Sequence, residues 1–381
     1  MFVQLGEGVG DVTVAVSLML HDTHSSMPIL HQQMVSGPVD IIGDVHGEID
    51  ALRALLMRLG CDVERGVAER PIVFVGDLVD RGPDSPAVVE LVMKLVDQGI
   101  AQCVLGNHEL NILFGLEKEG NGWFRGDASD AYQVEEGDEV VDHVFQSVQA
   151  TPEQAERFRD FFATMPLVLE REDLRVVHAC WYGTAVSQLP NEGDVASLGR
   201  KWAKDIHMEF KKRGLWELEK AERAEFGDLK RLDIPPTRDL PAHAEAAQDR
   251  QSLHPIKVLT SGREVRVPFE EVFFVGGKWR FVRRFDWWNH YEDEQAVVVG
   301  HYWRRRQNAW VEGKPDPWST DKTTDWAGPR RNVFCVDYSV GRRFHERNQG
   351  KTGQFSGGLA ALRWPERLLF FDDQDEPVPT T

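Results

Sequence analysis

Three short β-rich runs, each ending in a turn dense in Gly and Asp, constrain the fold of this chain more than any other feature. Val39 to Ile42 leads into Gly43-Asp44-Val45-His46-Gly47, and Ile72 to Val75 into Gly76-Asp77-Leu78-Val79-Asp80-Arg81-Gly82. Gln102 to Leu105 leads into Gly106-Asn107-His108-Glu109. Between the first two, Ile49, Leu52, Leu55, Leu56 and Leu59 recur at helical spacing, and Gly60 stands where a helix would end. Between the second and third, Val88, Val89, Leu91, Val92, Leu95 and Val96 form another apolar face that closes near Gly99. Strand, helix, strand at intervals of about 30 residues is the length of a βαβ unit. The three strands are therefore predicted to be parallel neighbours, with the residues after each strand meeting at one sheet edge.

Further strands are predicted at Leu174 to Val177, Ala296 to Val299, Val333 to Val336, Leu359 to Trp364 and Leu368 to Phe371. Residues 194 to 233, rich in Lys, Glu and Arg with spaced Trp202, Phe210 and Trp216, read as one or two amphipathic helices laid on the core. Asp233 to Ala247, with three prolines, reads as a connector. Val265 to Trp288 reads as hairpin strands turning at Gly276-Gly277. Residues 183–290 are thus expected to be an insertion between two core strands, and residues 39–381 one domain preceded by an extension over 1–38. In that extension, Val12 to Leu20 is expected to be an extra edge strand followed by a loose connector. No basic residue precedes it and Glu7 and Asp11 stand there instead, so it is not expected to be an export signal. Gly6, Gly8 and Gly10 lack the strand and helix of a nucleotide fingerprint.

Charge and composition narrow the classes. Among 381 residues, 44 Lys and Arg face 62 Asp and Glu, a net charge of −18 that lacks the basic footprint of a bulk nucleic-acid binder. No run approaches the roughly 18 apolar residues of a membrane span. Cys61, Cys103, Cys180 and Cys335 are too far apart for a disulfide scaffold or a CxxC pair, and are expected to be buried thiols in a reducing cytoplasm.

The strand ends are where chemistry is expected. Besides the three turns, later strands end in His178 and in Gly300-His301. An isolated Gly-Asp pair after a strand is ordinarily a turn, and a lone strand-end His ordinarily structural. Five such places in one chain outweigh that reading. Carboxylates, imidazoles and amide oxygens are donors that Mn, Fe and Zn accept. Two ions about 3.5–4 Å apart can share one carboxylate, hold a hydroxide between them and stabilise an in-line phosphoryl displacement.

The sequence GDVHG, then GDLVDRG, then GNHE, then two later His residues, resembles the calcineurin-like metallophosphoesterases, and within them the phosphoprotein-phosphatase branch. The resemblance covers about 39 to 182 and 296 to 371. It implies an α/β fold, a β-sandwich of mixed sheets flanked by helices. It also implies Asp44 and His46 on one metal, Asp77 bridging, and Asn107, His178 and His301 on the second. His108 is then the expected general acid, with Asp80 orienting it and Arg81 gripping phosphate oxygens, a task suited to a guanidinium fork. The implied cofactors are two divalent or trivalent ions, Mn first, with Fe or Zn as alternatives. The last ligand reads Gly300-His301-Tyr302-Trp303 without the second His of GHxH, which agrees with this branch.

Substrate is less sharply drawn. Val336-Asp337-Tyr338-Ser339 and Gly357-Gly358-Leu359-Ala360-Ala361-Leu362-Arg363-Trp364 are closer to bacterial diadenosine tetraphosphatases and RNA-repair phosphatase modules than to eukaryotic-type protein phosphatases. Asp337 reads equally as a group orienting a ligand His, or lining the pocket, and as a turn carboxylate. Arg304, Arg305 and Arg306 read as a solvated or salt-bridged run, with the alternative that at least one holds substrate phosphate. Gly350-Lys351-Thr352 is a polar loop, since His345 stands where a P-loop needs Gly. The expected function is a phosphoesterase acting on monoesters of a phosphoprotein or small molecule through a metal-bridging hydroxide, in the cytoplasm and away from membranes. Symmetric cleavage of dinucleoside polyphosphates is the alternative, and a non-catalytic metal-stabilised binding protein the alternative from another class.

Overall fold

Along Val39–Ile42 every side chain is buried, because alternate residues enter two different cores. Ile41 packs between two sheets, and Ile42 packs under helices. The computed structural model describes residues 27–381 except 137–138, 228, 232–233, 276, 307–317, 319 and 321. The proposed strand at Val12 to Leu20 lies outside the described residues.

In chain order the strands are β1 His31–Gln33, β2 Val39–Ile42, β3 Ile72–Phe74, β4 Ala101–Cys103, β5 Ala131–Glu136, β6 Glu139–Val144, β7 Val168–Glu170 and β8 Leu174–Val177. Then come β9 Glu264–Arg266, β10 Phe273–Val275, β11 Lys278–Arg280, β12 Val282–Arg284, β13 Ala296–Val299, β14 Val333–Cys335, β15 Ala360–Trp364, β16 Leu368–Phe371 and β17 Gln374–Pro379. The helices are α1 Ile49–Arg58, α2 Ser85–Asp97, α3 Asn107–Leu113, α4 Gly122–Arg125, α5 Pro152–Thr164 and α6 Gly183–Ser187. They continue with α7 Val195–Lys212, α8 Leu215–Phe226, α9 Pro241–Ser252, α10 Pro255–Ser261 and α11 Arg343–Asn348.

Two mixed sheets form the frame. One has the order β17-β16-β15-β2-β3-β4, with β2, β3 and β4 parallel as the spacing requires. The other has the order β1-β7-β8-β13-β14, with β8, β13 and β14 parallel. Val39, Ile41, Val73, Val75 and Val104 from the first meet Leu174, Val176, Val298, Phe334 and Val336 from the second. On the far face of the first sheet, Ile42 and Phe74 pack with Leu52, Leu55 and Leu56 of α1 and Val88, Val89 and Val92 of α2. The α/β sandwich of mixed sheets is as expected. The strand ends, however, do not share one sheet edge: His178 and His301 follow strands of the second sheet, so the site forms where two sheets meet.

Two boundaries also differ. The sheet begins before residue 39, because His31–Gln33 pairs in parallel with Val168–Glu170 in a stretch expected to be a loose connector. Part of the expected connector over Asp233 to Ala247 is helical. Pro241 is the first residue of α9, where its missing N–H is harmless and its fixed φ suits a helix. Between β8 and β13 the chain forms α6 to α10 and two short antiparallel pairs, β9 with β12 and β10 with β11. All four cysteines are free and buried.

Candidate active site

The turns after β2, β3 and β13 deliver their chemistry from costly backbone. His46, Asp77, Asp80, Arg81 and His301 all have positive φ, between 48° and 74°. Such conformations persist only where the surroundings over-determine them. Here the buried Glu109 does part of that. Its carboxylate accepts the backbone N–H groups of Asp77 at 3.0 Å, Leu78 at 2.7 Å and Gly106 at 3.1 Å, tying the second turn to the third. The approach is close enough that a Cβ on Gly106 would lie 2.2 Å from the Asp77 nitrogen. A Cβ on Gly300 would lie 1.9 Å from Asp44 Oδ1, so the two sheets bring their turns into the same contact.

The side chains converge in two overlapping groups. Ligand-capable atoms of His46, Asp77 and His108 lie within 4.8 Å of one another, as do those of Asp77, His178 and His301. Asp77 belongs to both. Asp44 Oδ2 lies 3.9 Å from His46 Nε2, and its carboxylate accepts the His301 backbone N–H. Asn107 Oδ1 lies 2.8 Å from His301 Nδ1 and 3.3 Å from His178 Nε2. All six residues expected as ligands are thus gathered, and His108 joins the first group, where the resemblance implies Asp44.

The histidine tautomers are set from behind. His46 Nδ1 lies 3.1 Å from the Val79 carbonyl and His178 Nδ1 2.7 Å from the Val75 carbonyl. A carbonyl only accepts, so each Nδ1 carries a hydrogen and each Nε2 faces the cluster, that of His46 beside Arg81 and that of His178 beside the Asp77 and Asn107 oxygens. Among the described residues His301 Nε2, which is buried, has no hydrogen-bond partner. Carboxylates, an amide oxygen and imidazole nitrogens form a donor set that fits two borderline divalent cations. Among the described residues, the cationic groups within 4 Å of the Asp44 and Asp77 carboxylates are imidazoles alone. The buried negative charge therefore has no permanent protein counter-ion at salt-bridge distance, which is the electrostatic condition a cation satisfies.

The same crowding moves proton affinities. Burial, then the nearby Asp337 carboxylate, raises Asp44 well above the usual carboxylate range. Burial also pushes Asp77 upward, but His178, His108 and His46 outweigh it and hold it well below. Burial and Arg81 lower His46, and burial and Arg284 lower His301. Glu109 is raised to about 7 by burial and by Asp77.

Beside the cluster stands a second arrangement. His108 Nδ1 lies 2.6 Å from Asp80 Oδ2, and the other Asp80 oxygen accepts the Trp123 indole N–H at 2.6 Å. Burial depresses the His108 imidazole, yet the Asp77 and Asp80 carboxylates prevail and leave it above its ordinary value. Its Nε2 faces Arg81 Nη2 at 3.3 Å, while Arg81 Nη1 reaches His46 Nε2 at 3.2 Å. A proton donor and a guanidinium fork thus stand together over the cluster.

Several contributors carried no sequence signal. Trp123 lies in α4, away from any motif, and Arg284 comes from β12 yet lines the same cavity. Glu109 stood within its motif without an evident task. Asp337 combines both of its readings, since Oδ1 accepts the Ser339 N–H at 2.7 Å and the residue lines the cavity. Of the arginine run, Arg304 is buried and donates to the carbonyls of Thr323 and Asp325, and Arg306 forks onto Asp373.

Several known proteins match parts of this chain. The asymmetrical bis(5'-nucleosyl)-tetraphosphatase PrpE of Oceanobacillus iheyensis is 49% identical over 74 residues, 18% of this chain and 30% of that protein. Its counterpart in Bacillus subtilis is 32% identical over 146 residues, 37% of this chain and 56% of that protein. A symmetrical bis(5'-nucleosyl)-tetraphosphatase of Ralstonia nicotianae is 41% identical over 80 residues, 21% and 26% of the two chains. The chain thus spans little more than half the length of these curated relatives at most. Among solved structures, one named as a putative diadenosine tetraphosphatase aligns over 93% of this chain and 99% of its own at 16% identity and a TM-score of 0.40. A cold-active protein-tyrosine phosphatase of Shewanella aligns over 93% of this chain and 83% of its own at 13% identity and a TM-score of 0.43. Residues 37–224 match the family model of the calcineurin-like phosphoesterases, and this span holds Asp44, His46, Asp77, Asn107, His108 and His178. The chain therefore carries a calcineurin-like phosphoesterase domain.

Proposed function

We propose that this protein hydrolyses phosphate esters, with monoesters of a phosphoprotein or small molecule as its substrates. The observation that carries the reading is the His108–Asp80–Trp123 chain standing beside a buried cluster of donors. A structural metal site has no use for an oriented imidazole and a guanidinium fork at its mouth, which disfavours a purely binding protein. Asp44, His46 and Asp77 would hold one cation and Asp77, Asn107, His178 and His301 the other. Bound there, two divalent cations supply Lewis-acid polarisation and lower the pKa of water toward about 7.

The protein's own part is positioning and proton supply. Arg81 orients the phosphate oxygens by paired N–H donation. Asp80 holds the His108 Nδ1 hydrogen, so that Nε2 delivers its proton to the departing alcohol oxygen. Trp123 fixes the Asp80 carboxylate by occupying its other oxygen.

A second reading, hydrolysis of dinucleoside polyphosphates, is supported by the names of the matching relatives and by the size of the cavity, about 1420 Å³, larger than a lone phosphate group requires. The test is a substrate panel on the manganese-loaded protein. Release of 4-nitrophenol from 4-nitrophenyl phosphate, with about two ions per chain by elemental analysis, is expected. Bound metal without turnover of any phosphate ester would refute the reading. Incubation with diadenosine tetraphosphate separates the two substrate classes: symmetric cleavage gives two diphosphates.

A further inference from the structure

Of the arginine run after His301, only Arg305 has no side-chain hydrogen bond or ion pair among the described residues. Its flanking residues are spoken for: Arg304 by two carbonyls, Arg306 by the Asp373 carboxylate. Arg305 is 8% exposed, and its Nε and Nη1 are buried without any hydrogen-bond partner. Among the described residues no carboxylate pairs with it. Its guanidinium carbon lies 5.3 Å from the centroid of the Trp303 ring, a contact that orients the head group while leaving its N–H donors free. Both residues line the cavity that also holds Asp44, His46, Asp77 and Arg81.

A guanidinium shielded from water and left unpaired is costly, and five donors in a fixed fork suit a phosphate or carboxylate. Nothing among the described residues supplies that counter-charge, and an anion entering the cavity would. We infer that Arg305 binds a second anionic group of the substrate, a phosphate other than the one undergoing cleavage, and so favours substrates carrying a chain of phosphates. The inference rests on the phosphoesterase reading for its first phosphate, which Arg81 and the ligand cluster hold. Trp303, 36% exposed on the same wall, carries Arg305 on its ring and so fixes where the second phosphate sits.

The experiment uses the full-length, manganese-loaded protein, with 4-nitrophenyl phosphate as the probe of one phosphate and inorganic tripolyphosphate as the probe of three. Arg305→Gln is expected to lower the ratio of kcat/KM for tripolyphosphate to that for 4-nitrophenyl phosphate by about tenfold or more, through KM. Arg305→Lys, which keeps the charge and loses the fork, should recover part of that loss. An unchanged ratio overturns the inference. So does a fall in Tm of about 3 °C or more in Arg305→Gln, since removal of an unpartnered guanidinium should not destabilise the fold. Thermal shift in chelator, without turnover, separates this from the parent reading. Tripolyphosphate should raise the Tm of the wild type and not that of Arg305→Gln. That result in a protein that cleaves no phosphate ester would retain the second anion site and remove the phosphoesterase. No rise in the wild type would count against Arg305.

Discussion

The strand-end cluster and the segment between β8 and β13 handle buried charge in opposite ways. In the segment, Glu219 of α8 is buried but fully answered: Arg250 of α9 forks onto it and His243 lies 3.3 Å away. Burial alone would raise this carboxyl, yet those partners bring it down to about 2. In the cluster, Asp44, Asp77 and Asp337 are buried close to one another, and among the described residues the cationic groups within 4 Å of the Asp44 and Asp77 carboxylates are imidazoles, with no arginine or lysine forked onto them. The first arrangement closes its electrostatics within the chain and serves to clamp two helices. The second leaves them open, and an open buried charge marks a place where something else binds.

The comparison breaks most visibly at Asp77. Asp77→Asn removes the carboxylate common to both groups, so both cations and all turnover should be lost, read by elemental analysis and 4-nitrophenyl phosphate assay. Full metal content in the variant would refute the shared position. His108→Ala should reduce turnover of phenyl phosphate by about 10²–10⁴-fold and that of 4-nitrophenyl phosphate far less, because nitrophenolate departs without much proton donation. Equal losses on both esters would contradict the acid assignment.

On the answered side the effect is on stability. Glu219→Ala removes the partner of the partly exposed Arg250 and should cost about 2 kcal/mol in denaturant unfolding while leaving bound metal unchanged. The pH dependence follows from the sign of the shift. A carboxyl whose folded pKa is about 2, against an ordinary 4.5, contributes its stability in full above about pH 4.5 and loses it as the pH falls toward 2. Glu219→Gln should therefore flatten that part of the acid unfolding profile. The smallest expected effect is at Trp123. Trp123→Phe deletes one N–H donated to Asp80 and should lower turnover by about tenfold with metal content intact. Loss of metal in that variant would mean that Trp123 supports the cluster itself.

Much of the frame was legible because it obeys local rules. The apolar face of α2 and the runs that became β2 and β3 follow helical and strand periods that need no distant partner to be read. The turns were legible because Gly, Asp and His in those positions have few reasons to recur. What escaped is short or non-local. β1 is three residues long and is a strand only because Val168–Glu170 offers it an edge. The hairpin of β5 and β6 passed unnoticed, and α9 was hidden by the proline that begins it. Within the site, the Trp123 indole reaches Asp80 across 43 positions of chain, a separation that no spacing rule covers.

By itself, then, the order of residues determined which groups stand at strand ends, because side-chain period and turn chemistry are properties of a few consecutive residues. Tertiary structure alone decided that those ends belong to two sheets, that Asp77 stands in both donor groups, and that of three adjacent arginines only Arg305 makes no side-chain hydrogen bond or ion pair among the described residues. Those outcomes depend on which buried charge meets which, and burial is a property of the folded molecule rather than of any segment.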